Sequence, residues 1–276
     1  MLHVMRRKAF SAILIIALVM VSVLPGTAAA SSVKLTSAAQ TTLGKLIGTA
    51  SSQMKERLQA QSLSLVVWQV SEDALDKQIG TLHDNNGTAL AAVRERIKVI
   101  DAVKLSKLTR DVAVTKERYK PLFSLYTSLN TQIKDAKALK LKTLASLLQA
   151  QADGLKPAVA IARADIRARE DALRVAKATT ASIVKHLRVM LADIDPLRDQ
   201  IKSVQAVVSG TKKNISPVIT TMNAAMKGDS FEGTLQSLTT LVSLSRTIVE
   251  QKQRINSFES RISGIIAATN AQIPGK

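Results

Sequence analysis

Residues 155–208 read LKPAVAIARADIRAREDALRVAKATTASIVKHLRVMLADIDPLRDQIKSVQAVV. Within them Leu155, Val159, Ala162, Ile166, Glu170, Leu173, Ala176, Thr180, Ile183, Leu187, Met190 and Ile194 recur at gaps of three and four. Leu197, Ile201, Val204 and Val208 continue in the same register. An α-helix brings such positions to one face, whereas a strand would scatter them over two. The alternation is heptad-like, so the face is a narrow seam of the kind that packs against another helix. Pro196 lies inside the run. Asp195-Pro196 reads either as the start of a new helix with proline in its first turn, or as a kink in one long helix.

The same rhythm recurs on both sides. Upstream, Leu43, Ile47, Ala50, Met54, Leu58, Gln61, Leu65, Trp68, Glu72, Leu75, Ile79 and Leu82 form a seam that Gln61 and Glu72 interrupt. Asp84-Asn85-Asn86-Gly87 then predicts a helix end, because Asn and Gly take turn conformations that a helix cannot use. Downstream, Phe231, Leu235, Leu238, Val242, Ser245, Val249, Lys252, Ile255, Phe258, Ile262 and Ile265 mark a last helix. Between these, residues 88–152 carry the stripes Leu90, Val93, Ile97 and Ile100, then Leu105, Leu108 and Val112. Tyr119, Phe123 and Tyr126 follow around Pro121, and then Ile133, Leu144, Leu147 and Leu148. The pattern predicts an all-α protein: an elongated antiparallel helical bundle, or coiled-coil hairpins, with an N-terminal signal peptide. Expected boundaries are 1–30 for the signal and 31–276 for a single elongated helical domain. Its helices are expected near 33–83, 88–152, 155–209 and 231–270. Gly210, Pro217, Gly228 and Gly233 make 209–233 the expected irregular stretch.

Composition excludes several alternatives. The chain of 276 residues holds no Cys, 11 Gly and 6 Pro, and only 3% of it is aromatic. A disulfide framework, a thiolate nucleophile and a Cys-ligated metal are therefore ruled out, as is a collagen-like chain. Scarce aromatics and turn signals weigh against a β-sandwich. A hydrophobic share of 46% is too high for wholesale disorder.

The first thirty residues have the layout of a secretory signal peptide. Arg6, Arg7 and Lys8 precede an uncharged apolar run from Ala9 to Leu24, Pro25-Gly26 breaks it, and Ala28-Ala29-Ala30 supplies a cleavage site before Ser31. The layout is of a bacterial style and predicts export to the wall, the periplasm or the medium. The alternative is an uncleaved membrane anchor, the span being almost long enough.

Charge is uneven. The formal net charge is +18, of which the signal carries three. Residues 31–87 hold five basic and five acidic residues, whereas residues 88–150 hold thirteen basic and five acidic. Lys134, Lys137, Lys140 and Lys142 crowd one stretch, and Arg163, Arg167 and Arg174 recur at helical spacing. These seven are the candidate contacts for an anionic polymer or surface. The competing reading is a solvated face that keeps a seamed protein in solution.

No cofactor or metal site is expected. The two histidines beyond the signal, His83 and His186, have no ligand-spaced companions. His83 is explained by a helix C-terminus and His186 by a surface position. There is no HExxH, GxSxG, P-loop or dinucleotide fingerprint, and no motif for specific nucleic-acid recognition. The expectation is a non-enzymatic, exported coiled-coil interaction or scaffold protein of the bacterial cell envelope. Its basic middle helices would meet anionic polymers or a membrane surface, and its seams would meet a protein partner or a second copy.

Two resemblances supply alternatives. In outline the build resembles α-helical pore-forming toxins, which implies a hydrophobic tongue that inserts; the stretch 209–233 instead holds Lys212, Lys213, Asn214, Lys227 and Asp229. It also resembles in outline the basic helical arms of the Skp-like holdase family, which implies a clasped, unfolded client. This chain is longer and shows no strand-rich oligomerisation core.

Overall fold

The computed structural model describes residues 34–275, and the expected signal peptide lies outside them. Seven α-helices account for nearly all of this span: α1 (Ser37–Thr49), α2 (Ser52–Lys98), α3 (Ala102–Ala138), α4 (Lys142–Ala192), α5 (Ile194–Lys213), α6 (Ile215–Lys227) and α7 (Phe231–Ala271). Among the described residues there is no strand. The helices form an antiparallel bundle, as the seams predict.

Helices α2 and α3 are consecutive segments of one rod, and α4, α5 and α6 of another. Each rod is about 130 Å long at the usual rise per residue. The cross-rod pairs show their relation. Glu72 meets Lys212, Asp101 meets Thr180, Lys116 meets Glu170 and Tyr119 meets Asp165. Every step along one rod is matched by an opposite step along the other, so the rods are antiparallel over their whole length. Helix α7 packs on α2, α5 and α6 and runs parallel to α2. Arg57 meets Glu232, Glu72 meets Lys252, His83 meets Glu259 and Arg96 meets Asn270. Helix α7 ends where α2 ends, so beyond that level the molecule narrows to a two-helix arm of α3 and α4. At the opposite end α1 adds a fourth helix against α2 and α6.

The bundle is held by large apolar side chains. Leu58, Leu65, Leu187, Ile194, Met222, Leu238, Leu241 and Ile248 are fully buried. Each contributes about 1.5–3 kcal/mol of transfer free energy. The polar seam positions meet one another inside it. Glu72 Oε1 lies 2.8 Å from Lys252 Nζ and 2.9 Å from Lys212 Nζ. Lys252 also reaches Asp76 at 2.5 Å. Two turns farther along α7, Asn86 donates to Glu259 Oε2 at 2.7 Å, and His83 Nδ1 lies 2.9 Å from Glu259 Oε1. These layers match only one register of α2 on α7, since a slip would bury each charge against a leucine or isoleucine.

Several expected boundaries shift. The helix end expected at residues 84–87 does not occur: α2 runs through it, with Asn86 buried on Glu259 and Gly87 in ordinary helical backbone. His83 is therefore mid-helix, not at a C-terminus. The expected helix 88–152 is instead broken at 99–101 and reversed at 139–141. The expected start at 155 moves back to Lys142, because Gly154 and Pro157 are carried inside α4. The stretch 209–233 is helical as far as Lys227, with a single-residue break at Asn214.

Proline explains the breaks in the second rod. Pro196 and Pro217 each stand third in a new helix, behind Ile194-Asp195 and Ile215-Ser216. Neither has an N–H for the carbonyl four residues before it, so α4 stops at Ala192 and α5 at Lys213, while Ile194 and Ile215 stay buried and the seam continues. Pro121 and Pro157 lie inside α3 and α4, and each withholds one ladder bond.

Candidate functional site

The seven cationic residues singled out in the sequence all fall on the arm, and all are exposed. The arm is built from small side chains. With Leu129 and Ile133 the large exceptions, Thr115 and Ala136 on α3 and Ala145, Ala152, Val159, Ala162, Ala176 and Thr180 on α4 make up most of its buried seam. Such residues let two helices approach closely, and they leave little surface for a third. At its base the Thr180 hydroxyl donates to Asp101 Oδ2 at 2.6 Å. Midway, Lys116 meets Glu170 at 2.6 Å, and the Tyr119 hydroxyl donates to Asp165 at 3.2 Å. Glu170, which interrupts the seam in the sequence, is thus the partner of a lysine on the facing helix. Near the tip Leu129, Ile133 and Ala152 form a small apolar cluster with Tyr126, Leu148 and Leu155.

The seven cations do not converge on one spot. Lys134, Lys137, Lys140 and Lys142 surround the reversal between α3 and α4. Arg163 and Arg167 lie about 30 Å nearer the bundle, by the helical rise. They line a surface groove of about 290 Å³ with Phe123, Tyr126, Thr127 and Ile166. Arg174 is farther still and pairs with Asp171 of its own helix at 3.0 Å. Among the described residues the four tip lysines make no ion pair, so their charge is directed at solvent. Farther along α4, the carboxyl of Asp153 is held below the usual range by hydrogen bonds from Lys156 and then Gln149.

Four leucines at the same tip escape a reading of the sequence. Leu139, Leu141, Leu144 and Leu147 are exposed, although Leu144 and Leu147 fit the expected apolar stripe. Their interleaving with the lysines in residues 134–147 is the signal that was there to be read. A second exposed apolar stripe lies on α2, where Leu63, Val66, Val67 and Val70 share one face. Trp68 beside it is half-buried, and His186 on α4 lies 2.9 Å from the Gln272 side chain.

Among the described residues no group of three or more His, Asp or Glu could hold a metal ion, and no helix is long and apolar enough to cross a membrane. Comparison with protein-family models, with curated proteins and with solved structures gives no match.

Proposed function

We propose that this chain is a non-enzymatic, exported interaction protein of a bacterial cell envelope, whose basic coiled-coil hairpin meets an anionic polymer or surface. The observation that carries the reading is the gathering of all seven candidate cations on the narrow arm, with the four at its tip unpaired among the described residues. A local excess of cationic charge raises the nearby concentration of anions. Export rests on the basic, apolar and small-residue segments of residues 1–30. The non-enzymatic reading rests on the missing nucleophile, phosphate and metal motifs in the sequence.

The seams are used within the chain, which leaves the α2 stripe as the surface for a second copy. Residues 31–87 have balanced charge while the remainder is strongly basic, so this is where two copies approach without mutual repulsion.

The test is co-sedimentation of the chain from Ser31 onward with isolated cell walls at low and physiological salt. The expected result is binding that weakens as salt rises. Absence from the wall pellet at low salt would sink the reading. For self-association, Val67→Lys is expected to shift sedimentation velocity toward monomer; an unchanged profile overturns that part.

A further inference from the structure

The tip of the arm inverts the usual rule of burial. Ala136, Ala145 and Ala152 are inside, with exposures of 4%, 6% and 1%. Leu139, Leu141, Leu144 and Leu147 are outside, with exposures of 70%, 48%, 44% and 59%. One exposed leucine is ordinary on any protein. Four within the reversal and the first two turns of α4 form an apolar point that water does not reward.

The backbone at the reversal adds a second observation. Helix α3 ends in a Schellman motif: the N–H of Lys140 bonds to the carbonyl of Lys137 at 3.1 Å, and that of Leu141 to Ala136 at 2.9 Å. Lys140 therefore takes the left-handed conformation, with φ of 58°. Glycine is the ordinary occupant of that position. The other two left-handed residues among those described are Asp101 and Asp229, of a type whose short polar side chain tolerates it. At the tip a lysine is held against local preference, and positions where local rules fail are where function is expected.

We infer that the arm tip docks into the headgroup–acyl boundary of an anionic lipid bilayer. Leu139, Leu141, Leu144 and Leu147 enter the apolar side, and Lys134, Lys137, Lys140 and Lys142 face the lipid phosphates. This rests on the proposed affinity of the arm for anionic surfaces and names the occupant. A soluble polyanion would engage the lysines and give the leucines nothing to enter, whereas a bilayer interface satisfies both at one depth. The tip enters without spanning, since no described helix has the apolar length to cross.

The experiment uses the chain from Ser31 onward, which keeps every described residue. It is mixed with vesicles of phosphatidylcholine alone, with vesicles of equal parts phosphatidylcholine and phosphatidylglycerol, and with immobilised polyphosphate. Wild type is expected to bind the mixed vesicles and the polyphosphate. Leu139→Ser with Leu147→Ser is expected to lose about tenfold in vesicle partition, with polyphosphate binding and far-UV circular dichroism unchanged. Lys137→Gln with Lys140→Gln is expected to weaken vesicle partition by about fivefold per lysine. Val189→Ser, at an exposed position of α4 far from the tip, is the control that leaves vesicle binding intact. A tryptophan placed by Leu139→Trp is expected to be quenched by brominated lipid, while Trp68 is not.

If the leucine pair binds vesicles as wild type does, the attraction is charge alone; the bilayer inference falls and the reading of a basic arm stands. Binding to polyphosphate without binding to mixed vesicles has the same meaning. Binding to neither overturns both.

Discussion

The bundle and the arm share the same two rods, yet they are stabilised differently. In the bundle α7 closes a third side, and leucines and isoleucines are fully buried. Along the arm no third helix is present among the described residues, and the seam is filled mostly by alanine and threonine. A two-helix contact has a line where a three-helix contact has a core. Large side chains on that line would stay half in water, so small ones that bring the backbones together pack better. The difference teaches that rod length and core depth are set separately here. The rods fix how far the molecule reaches, and the end of α7 fixes where it stops being deeply packed.

The sharpest test of this contrast compares one substitution in each region. Leu241→Ala removes a fully buried side chain among three helices and is expected to cost about 4 kcal/mol. Leu129→Ala in the arm leaves a site open on one side and should cost about 1.5 kcal/mol. Urea denaturation reads both. Equal losses would mean that the arm is as deeply packed as the bundle.

Next in size is the buried charge layer. Glu72→Met takes the buried carboxylate from Lys252 and Lys212, leaves Lys252 with the half-exposed Asp76, and is expected to cost about 3 kcal/mol. Glu72→Met with Lys252→Met should cost less than the single change, because a buried ammonium that has lost its buried carboxylate is replaced by an apolar side chain. A double variant less stable than the single would show that the layer stabilises the bundle rather than fixing its register.

A smaller effect of opposite sign belongs to the tip. Lys140→Gly relieves the left-handed residue and should stabilise the arm by about 1 kcal/mol, read by hydrogen exchange of α3 and α4 amides. The same change should weaken vesicle binding, so stability and affinity separate in one variant. The smallest expected effect lies midway. Lys116 and Glu170 are about half exposed, and a double-mutant cycle should give about 0.5 kcal/mol.

How much of this was legible depends on which signal is followed. The seams located the helices, and the polar residues that interrupt them, Glu72 and Lys252, turn out to be partners. Turn-forming residues misled. Asp84–Gly87 lies where the spacing Ile79, His83, Asn86, Leu90 keeps the phase of three and four, and packing on α7 overrides the local preference. The breaks at 99–101 and 139–141, unlike those of the second rod, carry no glycine or proline. They are visible instead as lapses of phase: from Ile100 the seam resumes only at Leu105, and from Ala136 only at Ala145. Asp101 and Lys140, both left-handed, sit inside those lapses. The tip leucines were hidden for a related reason. Periodicity reports which residues share a face, and it cannot tell an inward leucine from an outward one where the facing helix has just ended.

The two prolines inside the arm have a mechanical consequence. Tyr126 of α3 and Leu155 of α4 pack against one cluster, and Tyr119 meets Asp165, so Pro157 stands little more than a turn from the level of Pro121. Both struts of the arm therefore lack a ladder bond over the same short length, and bending stiffness falls there before it falls anywhere else. The arm is a jointed lever: sideways load on its end is taken up at this elbow and is not passed to the charge layers near the base. The spread of tip-to-bundle distances is the quantity that this elbow sets.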